Sequence, residues 1–188
     1  MRTITVFNFL SLNGFYKGLN EDIGWHRHGP EENDYAGDAA QEQNALMLGR
    51  VTYEMMYSYW PSEMAMKNSP RVADGMNKAA KIVLSNSLKK ANWHNTSIIT
   101  GDIITETKKI KQQSGPNITI LGSGSIVKQL ADHDLIDHYS FMIDPVVLGA
   151  GSTIFGDINK KLDLELLNSK VFKSGVLLVN YKPKNSTI

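Results

Sequence analysis

Two short stretches bring together residue types suited to holding phosphate. Residues 118–130, "ITILGSGSIVKQL", run from a β-branched apolar segment through Gly122-Ser123-Gly124-Ser125 into a helix-like pattern. A glycine-rich turn after a strand lets backbone N–H groups approach an anion closely, and the helix that follows presents its positive end to the same anion. Gly124 would give the closest approach, and the hydroxyls of Ser123 and Ser125 could donate. GSGS is neither G-x-G-x-x-G nor a P-loop, so a turn with a serine N-cap stays open beside the phosphate cradle. Residues 46–56, "LMLGRVTYEMM", repeat the pattern: a buried apolar run, Gly49, then a helix. Arg50 adds a fixed charge, and Thr52 can cap the helix or donate to a phosphate oxygen. Two such turns in one sheet could grip the two ends of a pyrophosphate. A third stretch, "IVLSNSL" at 82–88, ends a strand in small polar groups. These could hold a ribose or its 2′-phosphate, or form a polar turn only.

Other reactive residue types are thinner. The chain has no cysteine, which excludes disulfides, thiol nucleophiles and Cys-ligated zinc, and is compatible with the cytoplasm. His26 and His28 form an H-x-H pair without a third ligand at useful spacing, so no metal is expected. Arg27 between them could meet an anionic substrate, as could Lys17 or Arg71. "DHDLIDH", 132–138, offers several carboxylates and imidazoles but reads as a solvated turn. Trp25 and Trp60 could stack on a flat ring or simply pack.

The elements that must position these residues follow from periodicity. The 188 residues, 41% apolar and 21% charged with net charge +1, fit one domain with a full core, 1–188. Bulk charge gives no reason to expect a nucleic-acid partner, and no run is long enough to span a membrane. The first residues alternate and are β-branched, so 2–10 read as a strand rather than a signal peptide. Residues 18–34 read as a long polar loop, and 35–44 as a short helix. Residues 45–49 read as a buried strand, and 52–59 as a helix ended by Trp60-Pro61. Strands are expected at 81–85, 97–100 and 117–121, helices at 106–113 and 124–131. "HYSFMIDPVVLG", 138–149, is strand-like with a bend at Pro145, and two antiparallel strands close the chain. Strands alternating with helices, then strands alone, predict an α/β sheet with an antiparallel finish. The three glycines of "VVLGAGSTIFG" read as structural, in a tight loop.

In order, "FLSLNGFYKG", "ALMLGRVTYEMMYSYWP", "KIVLSNSL", "ITILGSGSIVKQL" and "DPVVLGAGSTIFG" resemble the dihydrofolate reductase-like superfamily. The branch most similar is the stand-alone proteins related to the C-terminal reductase domain of bifunctional riboflavin-biosynthesis deaminase-reductases. The resemblance runs from about Arg2 to Tyr181. It implies a dihydrofolate reductase-like fold, with a central, mostly parallel sheet flanked by helices, and an NADPH-dependent reductase of a small heterocyclic or carbonyl substrate. It also implies a cytoplasmic homodimer. By motif, Gly49, Arg50 and Thr52 would contact cofactor phosphates. Leu84, Ser85 and Asn86 would lie near the adenosine 2′-phosphate. Gly122, Ser123, Gly124, Ser125 and Ile126 would cradle the pyrophosphate. Asn8, Phe9 and Tyr16 would lie near the nicotinamide, and the loop through Gly18 and Asn20 would act as a lid. Dihydrofolate reductases carry one carboxylate in the first long helix, and counting back from "LGR" makes Asp34 the candidate, with Asp38 one turn further. "GWHRHGPEEN" does not resemble a folate-binding helix entry. A dihydrofolate reductase proper and a non-catalytic NADP(H)-binding module are the alternative readings.

Overall fold

A computed structural model describes residues 1–184. The chain runs β1 (Ile4–Ser11), β2 (Phe15–Lys17), α1 (Pro30–Gln41), β3 (Ala45–Gly49), α2 (Arg50–Tyr59), α3 (Glu63–Asn68), α4 (Pro70–Lys78), β4 (Lys81–Leu84) and β5 (Thr96–Ile99). It continues with α5 (Ile103–Gln112), β6 (Ile118–Leu121), α6 (Gly124–Asp132), β7 (His138–Asp144), β8 (Ser152–Thr153), β9 (Leu164–Val171) and β10 (Leu177–Pro183). One eight-stranded sheet has the order β5-β4-β3-β6-β1-β7-β10-β9, and β2 pairs with β8 in a small second sheet. Strands β5 through β7 in that order are parallel neighbours, and β10 runs antiparallel to β7 and β9. The expected mostly parallel sheet with an antiparallel finish is therefore present. No helix among the described residues is long and apolar enough to cross a membrane.

Element boundaries shift where local start and stop signals act. α1 begins at Pro30, not near residue 35: Gly29 is extended, Pro30 fixes the first helical φ, and Glu31 and Glu32 complement the positive helix end. α5 begins behind Asp102, whose carboxylate accepts the N–H of Thr105 at 2.8 Å. Strand β7 stops at Asp144, before Pro145, which has no N–H to donate. α3 and α4 lie in 61–80, where no element was expected, although Ser62 caps α3 and Pro70 opens α4.

The two faces of the sheet differ. On one, Ile4, Val6, Met47, Ile118 and Ile120 pack with Ile110 of α5 and Ile126, Val127 and Leu130 of α6 in a continuous core. On the other, two separate clusters form. Leu46, Leu48 and Val83 gather with Tyr53, Met76 and Trp93, and Met142 and Leu178 with Phe172 and Val176. Between them the central strands carry Thr5, Thr119 and Ser140, which line a cavity of about 720 Å³. Alternation produces this contrast: in "ITIL" of β6 the two isoleucines are buried on the continuous core, while Thr119 faces the other way. α1, α2 and α4 contribute the remaining walls through residues such as Tyr35, Met55 and Met76.

Candidate active site

The carboxyl ends of β3 and β6 lie side by side, with Met47 opposite Ile120 in register. The helices α2 and α6 that follow therefore start next to one another. Their starts are joined by Ser123, whose Oγ accepts the N–H of Gly49 at 2.7 Å and donates to Thr52 Oγ1 at 3.0 Å. Ser123 has φ 56° and Gly122 φ 57°, both left-handed. For serine this conformation is uncommon, and the two side-chain bonds hold it. Neither helix has a side-chain cap on its own first turn. The first N–H groups of each have no intrahelical acceptor, and both positive helix ends point to the same place.

Gly124 is needed for close approach. A Cβ there would lie 2.7 Å from the ring and hydroxyl of Tyr16. Tyr16 is held on β2, and β2 is held against β8 by another glycine: a Cβ on Gly151 would fall 2.1 Å from the Lys17 carbonyl oxygen. The glycine-rich "VVLGAGSTIFG" segment thus has the structural role its sequence suggests.

At the other end of the cavity the segment before α1 folds inward. The His26 ring stacks on Phe9, with centroids 4.2 Å apart and an interplanar angle of 5°. His28 meets His26 edge-on at 4.2 Å. Burial pushes the His26 pKa down to about 4, with the charge of His28 adding and Asp22 opposing. Burial also lowers His28, against the pull of Asp144 and Glu32. Glu32, buried at 3% exposure, accepts a hydrogen bond from the Ser174 hydroxyl. Asp144 is fully buried and accepts the Arg27 N–H at 2.7 Å; burial raises its pKa, and its Oδ2 has no partner. The Asn8 side-chain nitrogen, which borders the cavity, is also buried without a partner. Among the described residues no three His, Asp or Glu side chains form a metal-binding group.

Of the residues singled out in the sequence, Asn8, Phe9, Tyr16, Thr52, Gly122 and Ser123 line the cavity. Gly49 and Gly124 touch its wall through Ser123 and Tyr16. Ser125 is exposed on the first turn of α6. Ile126 belongs to the core on the opposite face, and its N–H already donates to the Ser123 carbonyl at 2.8 Å. Arg50 is half-exposed and bonds Glu54 at 2.8 Å. Leu84, Ser85 and Asn86 line a separate hollow of about 140 Å³ with Ile99, Gly101, Ile103 and Glu106. Leu84 is the register partner of Gly49, so this hollow continues the same sheet edge one strand outward.

Asp34 is exposed on α1 and does not line the cavity; the α1 carboxylate that does is Glu32, half a turn earlier, and Glu21 and Glu42 from outside the helix also border it. Helical geometry sends residues two apart to different faces, so an error of two in counting back reverses the side. Asp38 bonds Arg71 at 2.5 Å on the surface between α1 and α4. Arg27 bonds the Ser174 carbonyl at 2.6 Å, leaving Lys17 as the cation of the three that borders the cavity. Trp60 lines the cavity, whereas Trp25 bonds the Asp22 carbonyl. In "DHDLIDH", Asp137 accepts from Lys111 at 2.6 Å and from the Ile4 N–H, a structural use. Glu32 escaped the sequence reading because the segment holding it reads as a polar loop, and His28 reads there only as half of an H-x-H pair, not as part of the cavity wall. The Gly29-Pro30 pair was the signal that a helix starts there.

Residues 2–178 match the family model of the RibD C-terminal domain. The chain belongs to that family. Its fold is shared with a candidate riboflavin-biosynthesis protein of Shewanella sp. PV-4, with a TM-score of 0.78 at 21% identity over 97% of this chain and 99% of that one. A Thermotoga maritima deaminase/5-amino-6-(5-phosphoribosylamino)uracil reductase superposes with a TM-score of 0.70 at 13% identity, over 97% of this chain and 57% of that one. A dihydrofolate reductase of Enterococcus faecalis complexed with NADP(H) gives 0.68 at 16% identity, over 97% of each. The family thus has a dihydrofolate reductase-like fold, as the ordered motifs implied.

Proposed function

We propose that the protein is a reductase of the riboflavin-biosynthesis type that uses a nicotinamide dinucleotide to reduce a C=N or C=O bond of a small, flat heterocycle. The observation that carries this reading is the pair of uncapped helix starts joined through Ser123 in the wall of a cavity of about 720 Å³. The residues fit such a group. Gly124 has no side chain to keep a ligand from the start of α6 once Tyr16, now packed against it, moves aside, and among the described residues Asn8 keeps a buried donor without a partner. The RibD C-terminal domain match and the E. faecalis neighbour complexed with NADP(H) support a nicotinamide cofactor.

When bound, the dinucleotide supplies the hydride. Gly122, Ser123, Gly124, Ser125 and Thr52 would hold its phosphates, and Asn8 and Phe9 its nicotinamide end. Tyr16 lies against Gly124 and would have to yield to a phosphate there. The segment carrying His26 and His28 covers Phe9 and would exclude water from the reacting atoms. Glu32 would hold a proton at its carboxylate or bond an amino-pyrimidine edge, and His28 would share that work. Lys17, paired with Glu21 at 2.5 Å, would have to turn from that carboxylate to face an anionic group of the substrate. The resemblance makes NADPH the expected cofactor; the hollow around Ser85 and Glu106 bears on that choice. The long exposed edge strand β9, with Leu166, Leu167 and Val171 bare, is suited to pairing with a second copy. Gel filtration giving a monomer at micromolar concentration would remove the dimer.

The test is a fluorescence titration of the purified protein with NADH and NADPH, followed by assays against pterins, pyrimidines, quinones and carbonyl compounds. Micromolar binding with turnover of one class supports the reading. Binding with no turnover would make the protein a dinucleotide-binding module, and no binding of either would remove both. A dihydrofolate reductase proper is the second reading, favoured by the buried Glu32 on the first long helix. It requires tight methotrexate binding that Glu32→Gln abolishes.

A further inference from the structure

We infer that the hollow beyond α2 selects a ribose with a free 2′-hydroxyl, so that the protein binds NADH in preference to NADPH. This rests on the dinucleotide reading above. Three groups in "LSNS" and its surroundings could meet a 2′-phosphate, and each already makes local hydrogen bonds. The Ser85 hydroxyl oxygen accepts the N–H groups of Ser87 and Leu88 at 3.2 and 3.0 Å, which fixes it in a local turn and leaves only its own O–H to donate. The Asn86 amide clamps Gly101, its Oδ1 accepting the Gly101 N–H at 2.7 Å and its Nδ2 donating to the Gly101 carbonyl at 3.4 Å. The start of α5, a helix end that could attract an anion, is capped by the Asp102 carboxylate.

Among the described residues no lysine or arginine lines this hollow, and the charged residue that does is Glu106. Its carboxylate makes a 2.7 Å bond to Lys109, which points largely to solvent, with 61% exposure against 24% for Glu106. Arg50, the nearest cation by sequence motif, bonds Glu54 on its own helix and is absent from the lining. Leu84, Ile99 and Ile103 give apolar walls for a flat base. A ribose 2′-hydroxyl can donate to Glu106, whereas a 2′-phosphate would bring about two negative charges against it. Dinucleotide sites of other folds use an acidic residue on the ribose in the same way. Discrimination comes from repulsion of the wrong ligand as much as from attraction of the right one.

Calorimetric titration with NADH and NADPH tests this on the wild type, Glu106→Gln and Lys109→Ala. Glu106 is partly exposed on a helix, so the isosteric change should leave the fold intact, which circular dichroism checks. Wild type is expected to bind NADH about tenfold tighter than NADPH. Glu106→Gln should tighten NADPH by about tenfold, and Lys109→Ala should weaken it further while NADH changes by less than about threefold. A wild type that prefers NADPH, with no response to Glu106→Gln, would overturn the inference and leave the dinucleotide reading standing. Absence of binding by both dinucleotides would overturn the two together.

Discussion

Helix starts in this protein differ in how their first N–H groups are met; α1 and α4 open on a proline behind Gly29 and Ser69, without a side-chain cap. α3 and α5 are closed by their own first residues: Ser62 accepts the Ala65 N–H at 3.2 Å, and Asp102 accepts that of Thr105 at 2.8 Å. α2 and α6 are not. Gly49 has no side chain to offer, and Ser123 turns its hydroxyl across to the neighbouring helix. The capped helices start away from the cavity, and the open pair meets in its wall. Leaving first-turn N–H groups without a cap forgoes about 1 kcal/mol per helix. At α2 and α6 that loss falls beside the cavity, where an anionic ligand would restore it, whereas at α1 and α4 the first-turn proline removes one of the unmet donors.

The sharpest way to break the comparison is to crowd the start of α6. Gly124→Val is expected to weaken dinucleotide binding by at least about a hundredfold, ~2.7 kcal/mol, because its Cβ would meet Tyr16. Titration of the variant beside wild type reads this directly, and unchanged affinity would mean the α6 start holds nothing. Ser123→Ala comes next. It strands the Gly49 N–H and unties α6 from α2, so urea denaturation should report a loss of about 2 kcal/mol. Dinucleotide affinity should fall in the same variant; loss of stability alone would make Ser123 a structural tie only.

The third prediction concerns the His26 end. In the folded state this ring takes up its proton only near pH 4, against 6.5 for an ordinary histidine. The unfolded chain therefore binds the extra proton first as the pH falls. Stability from this site is complete above about pH 6.5 and is lost toward pH 4. The ring is half-buried, so the loss should be about 1–2 kcal/mol. His26→Phe keeps the stack on Phe9 and removes the titration, and denaturation midpoints measured from pH 7 to 4 should fall less steeply in the variant. Parallel curves would show that His26 does not remain stacked in solution. The smallest effect sharpens the contrast from the other side: Ser62→Ala should cost about 1 kcal/mol in thermal unfolding and leave dinucleotide affinity unchanged.

How much of this was legible in the sequence depended on how local the signal was. Strand–glycine–helix turns are local, so Gly49, Thr52, Gly122 and Ser123 could be read from spacing and are found together. The alternation in "ITVFNF" and "ITIL" marked strands, but not that their Thr5 and Thr119 side would be a cavity; that depends on the separation of two clusters brought together from distant parts of the chain. Ile126 stands beside the cradle motif, yet the 100° step of the helix turns it into the core. Glu32 needed the true start of α1, and Asp34 shows how a two-residue offset on a helix exchanges the buried face for the exposed one. Ser85 and Asn86 were readable as small polar groups at a strand end, but the hollow they line, their hydrogen bonds to the loop itself and the arrival of Glu106 from α5 are tertiary facts without a sequence signature.

The bare N–H groups at the starts of α2 and α6 are where the ligand is expected to bind. The most direct measurement is an amide-resolved NMR titration of the protein with NADH. Large shifts concentrated at Val51, Thr52, Gly124 and Ser125, with the capped starts of α3 and α5 unmoved, are the expected result. Saturable binding that leaves those four amides unshifted would contradict it.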